Sequence, residues 1–474
     1  MTLSADPAPS GQAAGAEIRT DSKPQLSLVT RSAYGLGDFA NTLVYGGLVS
    51  WLALFYTDAV GIGAGVAGII IVTARVVDGF FDPVVGAISE RTRSKYGRFR
   101  PWILYGMLPL GIFSVLTFTA PFPGDSVSAI VWAAATYGIL GLVYSCVNLP
   151  YAALSGVIAE TQADRLSLGN MRFVFASICL ILMGLATLPL VNTLGTPTGG
   201  ALSISGFTAT VAIFAGLAVV LYFFVFKTSR EIVTPVHVER PRLAETIRAV
   251  FTNGPLLVVF LLNICGGTAF FARFGVVAYY YIYNSGNAAI VPILISTTSI
   301  ASLVGTLLFT RLAHRIGKRR LFIIGQAVQA AALFALYLSD PTNIPVLVIL
   351  TVVNGLAGFT IPLLYAMVAD VADYGELKSG VRNDGIAFAV VSLSQKLGAA
   401  ISGIAVTLLG VFGYVANQVQ TPEATHGINV VVNLLPALLG VVTIFVALLY
   451  PLTDKRATEI RNELKSRAQA RGQA

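Results

Sequence analysis

Long apolar runs dominate this sequence and limit what it can fold into. A helix needs about 20 mainly apolar residues to cross a bilayer, and twelve runs of that order follow one another along the chain. Only 11% of the 474 residues are charged, against about 25% in soluble domains. The sequence therefore predicts an all-α membrane protein with twelve transmembrane helices. We place the runs at 33–57, 66–89, 101–121, 128–157, 171–194, 205–226, 255–283, 288–312, 320–338, 344–370, 385–413 and 428–451.

The basic residues fall on one side of such an arrangement. Among the 31 Lys and Arg, those well inside a run are Arg75, Arg172, Arg273 and Lys396. The others lie in the N-terminal tail, in the loops after every second run, and after the last run. Because an excess of Lys and Arg marks cytoplasmic loops, we expect both termini in the cytoplasm and a multi-pass protein of the plasma (inner) membrane. The position of these basic residues explains the formal charge of +8, so we do not expect a nucleic-acid partner.

Two basic loops, at residues 90–100 and 311–320, occupy the same place in each set of six runs. They suggest two six-helix halves related as parallel repeats, an arrangement that resembles the major facilitator superfamily. We expect a disordered cytoplasmic tail at 1–30, an N-terminal half at 31–227, a cytoplasmic connecting loop at 228–254, a C-terminal half at 255–452 and a cytoplasmic tail at 453–474.

The second run contains two carboxylates, Asp78 and Asp82, four residues apart. On a helix they share one face. Each costs about 2.5–3.5 kcal/mol inside a membrane, so a cation, a proton or a basic partner has to offset them. One interpretation is a structural cluster with Arg75; the other, which we favour, is a binding site for H⁺ or Na⁺. Lys396 in run 11 also needs an acid, and Asp78 or Asp82 is the expected partner.

Further polar side chains predict a cavity. Asp38, Asn41, Thr42 and Tyr45 fall on one face of the first helix, where they line either a cavity or a contact between helices. Ser145 and Asn148 are close on one face of run 4.

Two arginines could face the same cavity. Arg172, at the start of run 5, either extends to the membrane surface or grips an anion or a pair of hydroxyls through its planar fork. Arg273 lies too deep in run 7 for easy extension to the surface. Near the membrane surface, Arg98 and Arg100 of the first basic loop and Asp370 and Asp373 at the end of run 10 predict a charge network that closes the cytoplasmic side.

Several of these stretches together resemble the glycoside–pentoside–hexuronide:cation symporter family. They are 34–37 (YGLG), 56–58 (YTD), Asp78 and Asp82 with Pro83, 97–102 (GRFRPW), 148–151 (NLPY), Arg172 with Phe173, 370–376 (DVADYGE) and Lys396. The resemblance implies that Asp78, Asp82, Ser145 and Lys396 serve the coupling cation and that Arg172 binds sugar.

The sequence departs from that family's galactoside carrier, whose sugar-binding aspartates in spans 1 and 4 correspond to Thr42 and Asn148 here. Because neutral residues replace these two acids while Arg172 and Arg273 remain, the cavity becomes more positive, which favours an acidic sugar. Residues 413–423 and 450–455 look like the glucuronide carrier branch. A xyloside or oligosaccharide symporter of this family and a lysolipid carrier of related fold are the alternatives.

Other classes of protein fit the sequence less well. An ATP-driven pump needs a phosphate-binding loop of the Walker type, which the sequence lacks. His237, His314 and His426 all lie outside the runs or at their edges, and no second catalytic constellation accompanies the acids, so we do not expect an enzyme. A channel is a further alternative, but the polar cavity and the two repeated halves favour a carrier. We expect a monomer in the lipid bilayer that transports a small-molecule glycoside with H⁺ or Na⁺ and needs no cofactor.

Overall fold

The computed structural model describes residues 26–124, 126–159, 161–196, 202–231, 252–379 and 384–472. Within these residues the chain is helical apart from turns and one isolated β-bridge between Ser94 and Gly97. The described helices of eight residues or more are α1 (Leu28–Leu54), α2 (Ala64–Arg91), α3 (Arg100–Thr117), α4 (Val127–Ile158), α5 (Gln162–Leu194), α6 (Ile204–Thr228), α7 (Gly254–Tyr279), α8 (Val291–Phe309), α9 (Lys318–Leu338), α10 (Ile344–Leu356), α11 (Thr360–Ser379), α12 (Asp384–Val411), α13 (Pro422–Asn429), α14 (Leu435–Leu448) and α15 (Asp454–Gly472).

Eleven helical stretches of the described chain are long and apolar enough to cross a membrane. Predicted run 10 comprises α10 and α11 joined by the tighter turn Ala357–Phe359, and run 12 comprises α13 and α14 joined by the wider turn Val430–Leu434. Predicted run 3 forms α3, whose 18 residues include Arg100 and two prolines, and it is not among the eleven. The all-helical membrane architecture is confirmed, and the count of twelve spans stays a prediction.

Helix ends differ from the apolar runs where polar residues continue the helix. The helix α1 begins five residues before the predicted run, and α5 begins at Gln162 because Thr161 caps it by accepting a bond from the Asp164 N–H. The predicted tail after residue 453 contains the helix α15. Of the predicted N-terminal tail, residues 1–25 lie outside the described residues, as do residues 232–251 of the connecting loop.

The helices before and after residue 250 pack mainly among themselves. In the first group, which precedes residue 250, α1 contacts α5 and α6, and α3 contacts α4 and α6. In the second group, α7 contacts α12 and α14, and α9 contacts α14. The two groups meet where α2 packs on α12, α5 on α8 and α1 on α7. These contacts are consistent with the predicted halves at 31–227 and 255–452, whose boundaries stay a prediction.

Small residues allow α2 and α12 to approach closely. A Cβ atom added to Gly68 of α2 would lie 2.2 Å from the Thr407 hydroxyl, and one added to Gly403 of α12 would lie 2.7 Å from a methyl group of Val72. Close approach through small residues is how helices associate in lipid, where no hydrophobic force draws them together. This interface brings the acids of α2 against the lysine of α12.

The first basic loop ends in a backbone turn held by a carboxylate. Gly97 has a φ of +103°, which glycine adopts without strain. After it, the backbone N–H groups of Arg98, Phe99 and Arg100 all donate to the carboxylate of Glu231, at 2.8, 2.8 and 3.2 Å. The Arg100 guanidinium donates to the Phe226 carbonyl near the end of α6 at 2.6 Å. The carboxylate thus stabilises the start of α3, where free N–H groups favour negative charge.

The second basic loop repeats these contacts. Gly317 has a φ of +93°, and the N–H of Lys318 at the start of α9 donates to the Asp454 carboxylate at 2.9 Å. The Arg319 guanidinium donates to the carbonyls of Ala447 and Leu448 at the end of α14. A carboxylate that follows the last helix of each group therefore caps the third helix of the same group, as two parallel repeats would require.

Candidate functional site

The acids of α2 meet residues from two other helices. The Ser145 hydroxyl of α4 donates to Asp78 Oδ1 at 2.6 Å, and the Lys396 ammonium of α12 forms an ion pair with Asp82. The other Asp82 oxygen, Oδ1, is buried and has no hydrogen-bond partner among the residues that the structure describes. The four residues that the resemblance assigned to the cation thus form one cluster, and Asp82 is the acid that Lys396 needs.

An unpartnered carboxylate oxygen beside an ammonium can accept a proton or a hard cation. Carboxylate, hydroxyl and carbonyl oxygens are the ligands that such cations prefer, and Asp78, Asp82 and Ser145 supply them here. Binding a cation would offset the charge that Lys396 now balances. The assignment of these residues to a cation stays a prediction.

A second charged pair joins α1 to α5. The Arg172 guanidinium binds both oxygens of the Asp38 carboxylate, which also accepts a bond from the Tyr151 hydroxyl at 3.1 Å. The Arg172 guanidinium lies 5.2 Å from the centre of the Tyr151 ring. Arg172 is therefore held by an acid and an aromatic ring of the first group of helices.

Amide groups continue this polar layer. The Asn41 side chain donates to the side-chain oxygen Oδ1 of Asn148 at 2.6 Å and accepts from the Tyr222 hydroxyl at 2.9 Å. Thr42 lies beside Asn41 on α1, with its methyl group directed at Gly46. The predicted polar stripe on α1 and Asn148 of α4 thus lie together. The hydrogen bonds of Tyr151 and Tyr222 to this layer were not predicted from the sequence.

Tyr45 stands between this layer and the cation cluster. Its ring stacks on Tyr144 with the centroids 5.1 Å apart, and the Arg75 guanidinium lies 4.5 Å from the centre of the Tyr45 ring. Tyr45 and Arg75 line a cavity between the two groups of helices. The sequence suggested an acid as the partner of Arg75, whereas in the structure two tyrosine rings, Tyr45 and Tyr137, flank it.

The remaining predicted residues lie elsewhere. Arg273 is in α7, where its Nε and Nη2 are buried without a hydrogen-bond partner in the described part of the chain. Arg98 and Arg100 contact Glu231 and Phe226, whereas Asp370 pairs with Lys318 and Arg461, and Asp373 with Arg461 at 3.8 Å. The predicted charge network is thus two separate groups in this structure, and its role in closing the protein stays a prediction.

A polar cluster that the sequence analysis did not assign to a site lies where α1 ends and α2 begins. Asp58, just beyond α1, accepts bonds from the hydroxyls of Tyr283 and, at 2.8 Å, Tyr414. The Asn417 side chain donates to the Asp58 carbonyl at 2.7 Å, and the Thr57 hydroxyl lies 2.8 Å from that of Tyr279. We call Thr57, Asp58, Tyr279, Tyr283, Tyr414 and Asn417 the Asp58 cluster; it joins the first group of helices to the second.

Solved structures with this fold are membrane transporters. The chain matches the nucleoside transporter NupG with a TM-score of 0.64 at 13% identity, covering 89% of this chain and 99% of that one. It matches a D-xylose-proton symporter with a TM-score of 0.63 at 15% identity, covering 88% and 96%. The chain therefore shares its fold with these structures.

The chain belongs to the MFS/sugar transport protein family, whose model matches residues 33–454. The glucuronide carrier protein homolog of Escherichia coli (strain K12) is 33% identical over 455 residues, 95% of this chain and 98% of that protein. The isoprimeverose transporter of Lactiplantibacillus pentosus is 31% identical over 442 residues, 92% of this chain and 91% of that protein. These relatives confirm the family resemblance seen in the sequence.

Proposed function

We propose that this protein is a secondary active transporter that moves a glycoside together with H⁺ or Na⁺ by alternating access. The glycoside that fits best is a glucuronide or related hexuronide. The protein would lie in the inner membrane with both termini in the cytoplasm, as its basic loops predict.

The observation that carries this proposal is the cluster of Asp78, Asp82, Ser145 and Lys396. It joins α2 and α4 of the first group of helices to α12 of the second. A cation that binds Asp82 weakens its pairing with Lys396 and so changes a contact across the two groups. A ligand that acts on such a contact shifts the balance between two arrangements of the helices, which is what coupled transport requires.

The charges around the cavity support an acidic sugar. Arg75 lines the cavity and forms no ion pair among the described residues. The positions of two sugar-binding acids in the family's galactoside carrier hold Thr42 and Asn148. A carboxylate bound near Arg75 gains charge-assisted hydrogen bonds. The relative from Escherichia coli is named as a glucuronide carrier homolog.

A neutral xyloside or oligosaccharide is the second candidate. Asp38 already balances the charge of Arg172, so this pair can bind hydroxyl groups without needing an anion. The relative from Lactiplantibacillus pentosus is named as an isoprimeverose transporter.

The test is uptake into proteoliposomes of phenyl β-glucuronide, a xyloside, a galactoside and a lysolipid, each with an imposed pH or Na⁺ gradient. We expect accumulation of the glucuronide driven by one of the two ions. Asp78→Asn should abolish accumulation against a gradient while downhill exchange persists, because the cation site is lost and the sugar site remains. Asp340→Asn, in an exposed turn where the carboxylate bonds only locally to Thr342, is the matched control and should transport normally.

Full accumulation by Asp78→Asn would overturn the assignment of the cation site. Uptake of only a neutral sugar would replace the hexuronide by the second candidate. Uptake of only the lysolipid would replace sugar transport altogether.

A further inference from the structure

Arg75 projects from α2 into the cavity between the two groups of helices. Its guanidinium lies 4.5 Å from the centre of the Tyr45 ring and 5.8 Å from that of Tyr137. The same cavity is lined by Phe271 of α7 and Ser402 of α12. Stacking between aromatic rings fixes the plane of a guanidinium, so its donor groups have a defined direction next to the cavity.

Arg75 differs from Arg172 and Lys396 in having no carboxylate of its own. Arg172 pairs with Asp38, and Lys396 pairs with Asp82. Within the described ranges Arg75 forms no ion pair, and the nearest acid on its helix, Asp78, accepts a hydrogen bond from Ser145 instead. A charge inside a membrane protein without a direct counterion is costly, which points to a ligand that supplies one.

The charges around the cation cluster add up to neutrality. Arg75 and Lys396 contribute two positive charges, and Asp78 and Asp82, which are four residues apart on α2, contribute two negative ones. Binding a cation alone would leave one positive charge in excess, and binding an organic anion alone would leave one negative charge. Binding both restores neutrality, so each ligand favours the other by a reciprocal coupling free energy.

We propose that Arg75 binds the carboxylate of the transported sugar and that the electroneutrality of Arg75, Asp78, Asp82 and Lys396 couples this carboxylate to the cation. This inference rests on the proposed function. It makes Arg75, and neither Arg172 nor Arg273, the residue that distinguishes a hexuronide from the matching neutral sugar. It also requires that a cation and a hexuronide cross the membrane together without net charge movement.

The first experiment uses the wild-type protein and a matched pair of ligands. Phenyl β-glucuronide and phenyl β-glucoside differ only in a carboxylate against a hydroxymethyl group. Uptake in proteoliposomes is measured together with the transported charge on a solid-supported membrane. We expect glucuronide uptake without a current, and any glucoside uptake to carry a positive inward current, because the cation then crosses without an anion.

The second experiment compares Arg75→Gln with Arg273→Gln and Arg172→Gln. In Arg75→Gln the ratio of glucuronide to glucoside affinity should fall about 10- to 100-fold, as expected for the loss of a hydrogen-bonded charge pair. The cation should bind this variant more tightly without sugar, because the cluster has become net negative. Arg273→Gln should keep the wild-type ratio, and Arg172→Gln should weaken both ligands alike.

Arg75→Lys keeps the charge but loses the planar fork. This variant should lose part of the glucuronide affinity and keep the wild-type affinity for the cation. If Arg75→Gln does not fold, Arg75→Lys is used for the test in its place. Melting temperature and size-exclusion profile report on folding.

Glucuronide uptake by the wild type that carries a current would overturn the inference. Two further outcomes would overturn it while leaving the symporter intact. One is an unchanged ratio of glucuronide to glucoside affinity in Arg75→Gln, while the wild type takes up the glucuronide. If Arg75→Gln does not fold, the corresponding outcome is an unchanged glucuronide affinity in Arg75→Lys. The other is a loss of the ratio in Arg273→Gln instead. Failure of the wild type to take up either glycoside would overturn the proposed function itself.

Discussion

The pairing of Asp82 with Lys396 shows how this protein stabilises charges inside its helical bundle. Each residue alone would be an uncompensated charge in a medium of low polarity, and together they form an ion pair between α2 and α12. Because Asp82 Oδ1 has no partner in the described part of the chain, the pair is incomplete. Such a pair holds two helices together yet remains responsive to a cation.

This arrangement predicts unequal effects of single and double substitutions. Lys396→Met leaves Asp82 without its counterion, and breaking one side of a buried pair costs about 3–5 kcal/mol. We expect a smaller loss here, since Lys396 keeps 31% of its side chain exposed. The double variant Asp82→Asn with Lys396→Met should melt at a higher temperature than Lys396→Met, measured by thermal unfolding of the purified protein. A double variant that melts below both single variants would contradict the pairing.

Sequence reasoning found the charged members of the site but not all their partners. The depth of Lys396 in an apolar run requires an acid, yet only the packing of α2 on α12 selects Asp82 over Asp78. Arg172 was open to two interpretations because its distance from the membrane surface depends on where α5 begins. Tyr151 and Tyr222 were not predicted, since a tyrosine in an apolar run is ordinary packing until its hydroxyl is seen to bond Asp38 or Asn41.

At the scale of helices, the apolar runs predicted the positions of the spans well and their ends less well. The α5 helix extends nine residues before its run because Thr161 and Asp164 form a polar cap that hydropathy does not detect. The helix α15 is mostly polar and therefore gave no apolar run. Its Arg461 pairs with Asp370 of α11, and its buried Ile460 packs in the core of the second group of helices.

Substituting either of the two capping carboxylates should lower the stability of the protein. Glu231→Gln and Asp454→Asn remove the charge at the starts of α3 and α9 while keeping side-chain shape. Loss of a cap costs about 0.5–2 kcal/mol, and Glu231 should cost more because it accepts three backbone bonds and Asp454 accepts one. Thermal unfolding measures both. Glu459→Gln, whose carboxylate pairs with Arg456 on the exposed surface of α15, is the control; equal melting temperatures for all three variants would contradict the capping role.

At the scale of the whole molecule, we expect the Asp58 cluster to hold its side of the helical bundle closed. Three tyrosines, a threonine and an asparagine surround one carboxylate where α1, α7 and the segment after α12 meet. Burial, with the Asp58 charge adding to it, raises the pKa of the Tyr414 hydroxyl above its usual value of 10.0. That hydroxyl therefore remains protonated and continues to donate. In the proposed alternating-access cycle, this cluster would separate each time that side opens.

Asp58→Asn should shift the protein toward separation on this side. An amide has one acceptor oxygen for two tyrosine hydroxyls, and its NH₂ group meets donors. Spin labels at the exposed positions Gly63 and Val419 should report longer and broader distances by double electron–electron resonance. Tyr280→Phe, whose hydroxyl bonds the Leu336 carbonyl within the second group of helices, should leave the distances unchanged. Identical distances in Asp58→Asn and wild type would show that the cluster does not hold this side closed.

The placement of the two capping carboxylates also affects how the protein is made. Glu231 leaves the ribosome directly after α6, so the start of α3 can be fixed while the second group of helices is still unsynthesised. Asp454 follows α14, so α9 must wait through the synthesis of every helix from α10 to α14 before its cap arrives. During biosynthesis the first half can mature early, whereas the second half stays incomplete, and open to quality control, until α15 begins to emerge.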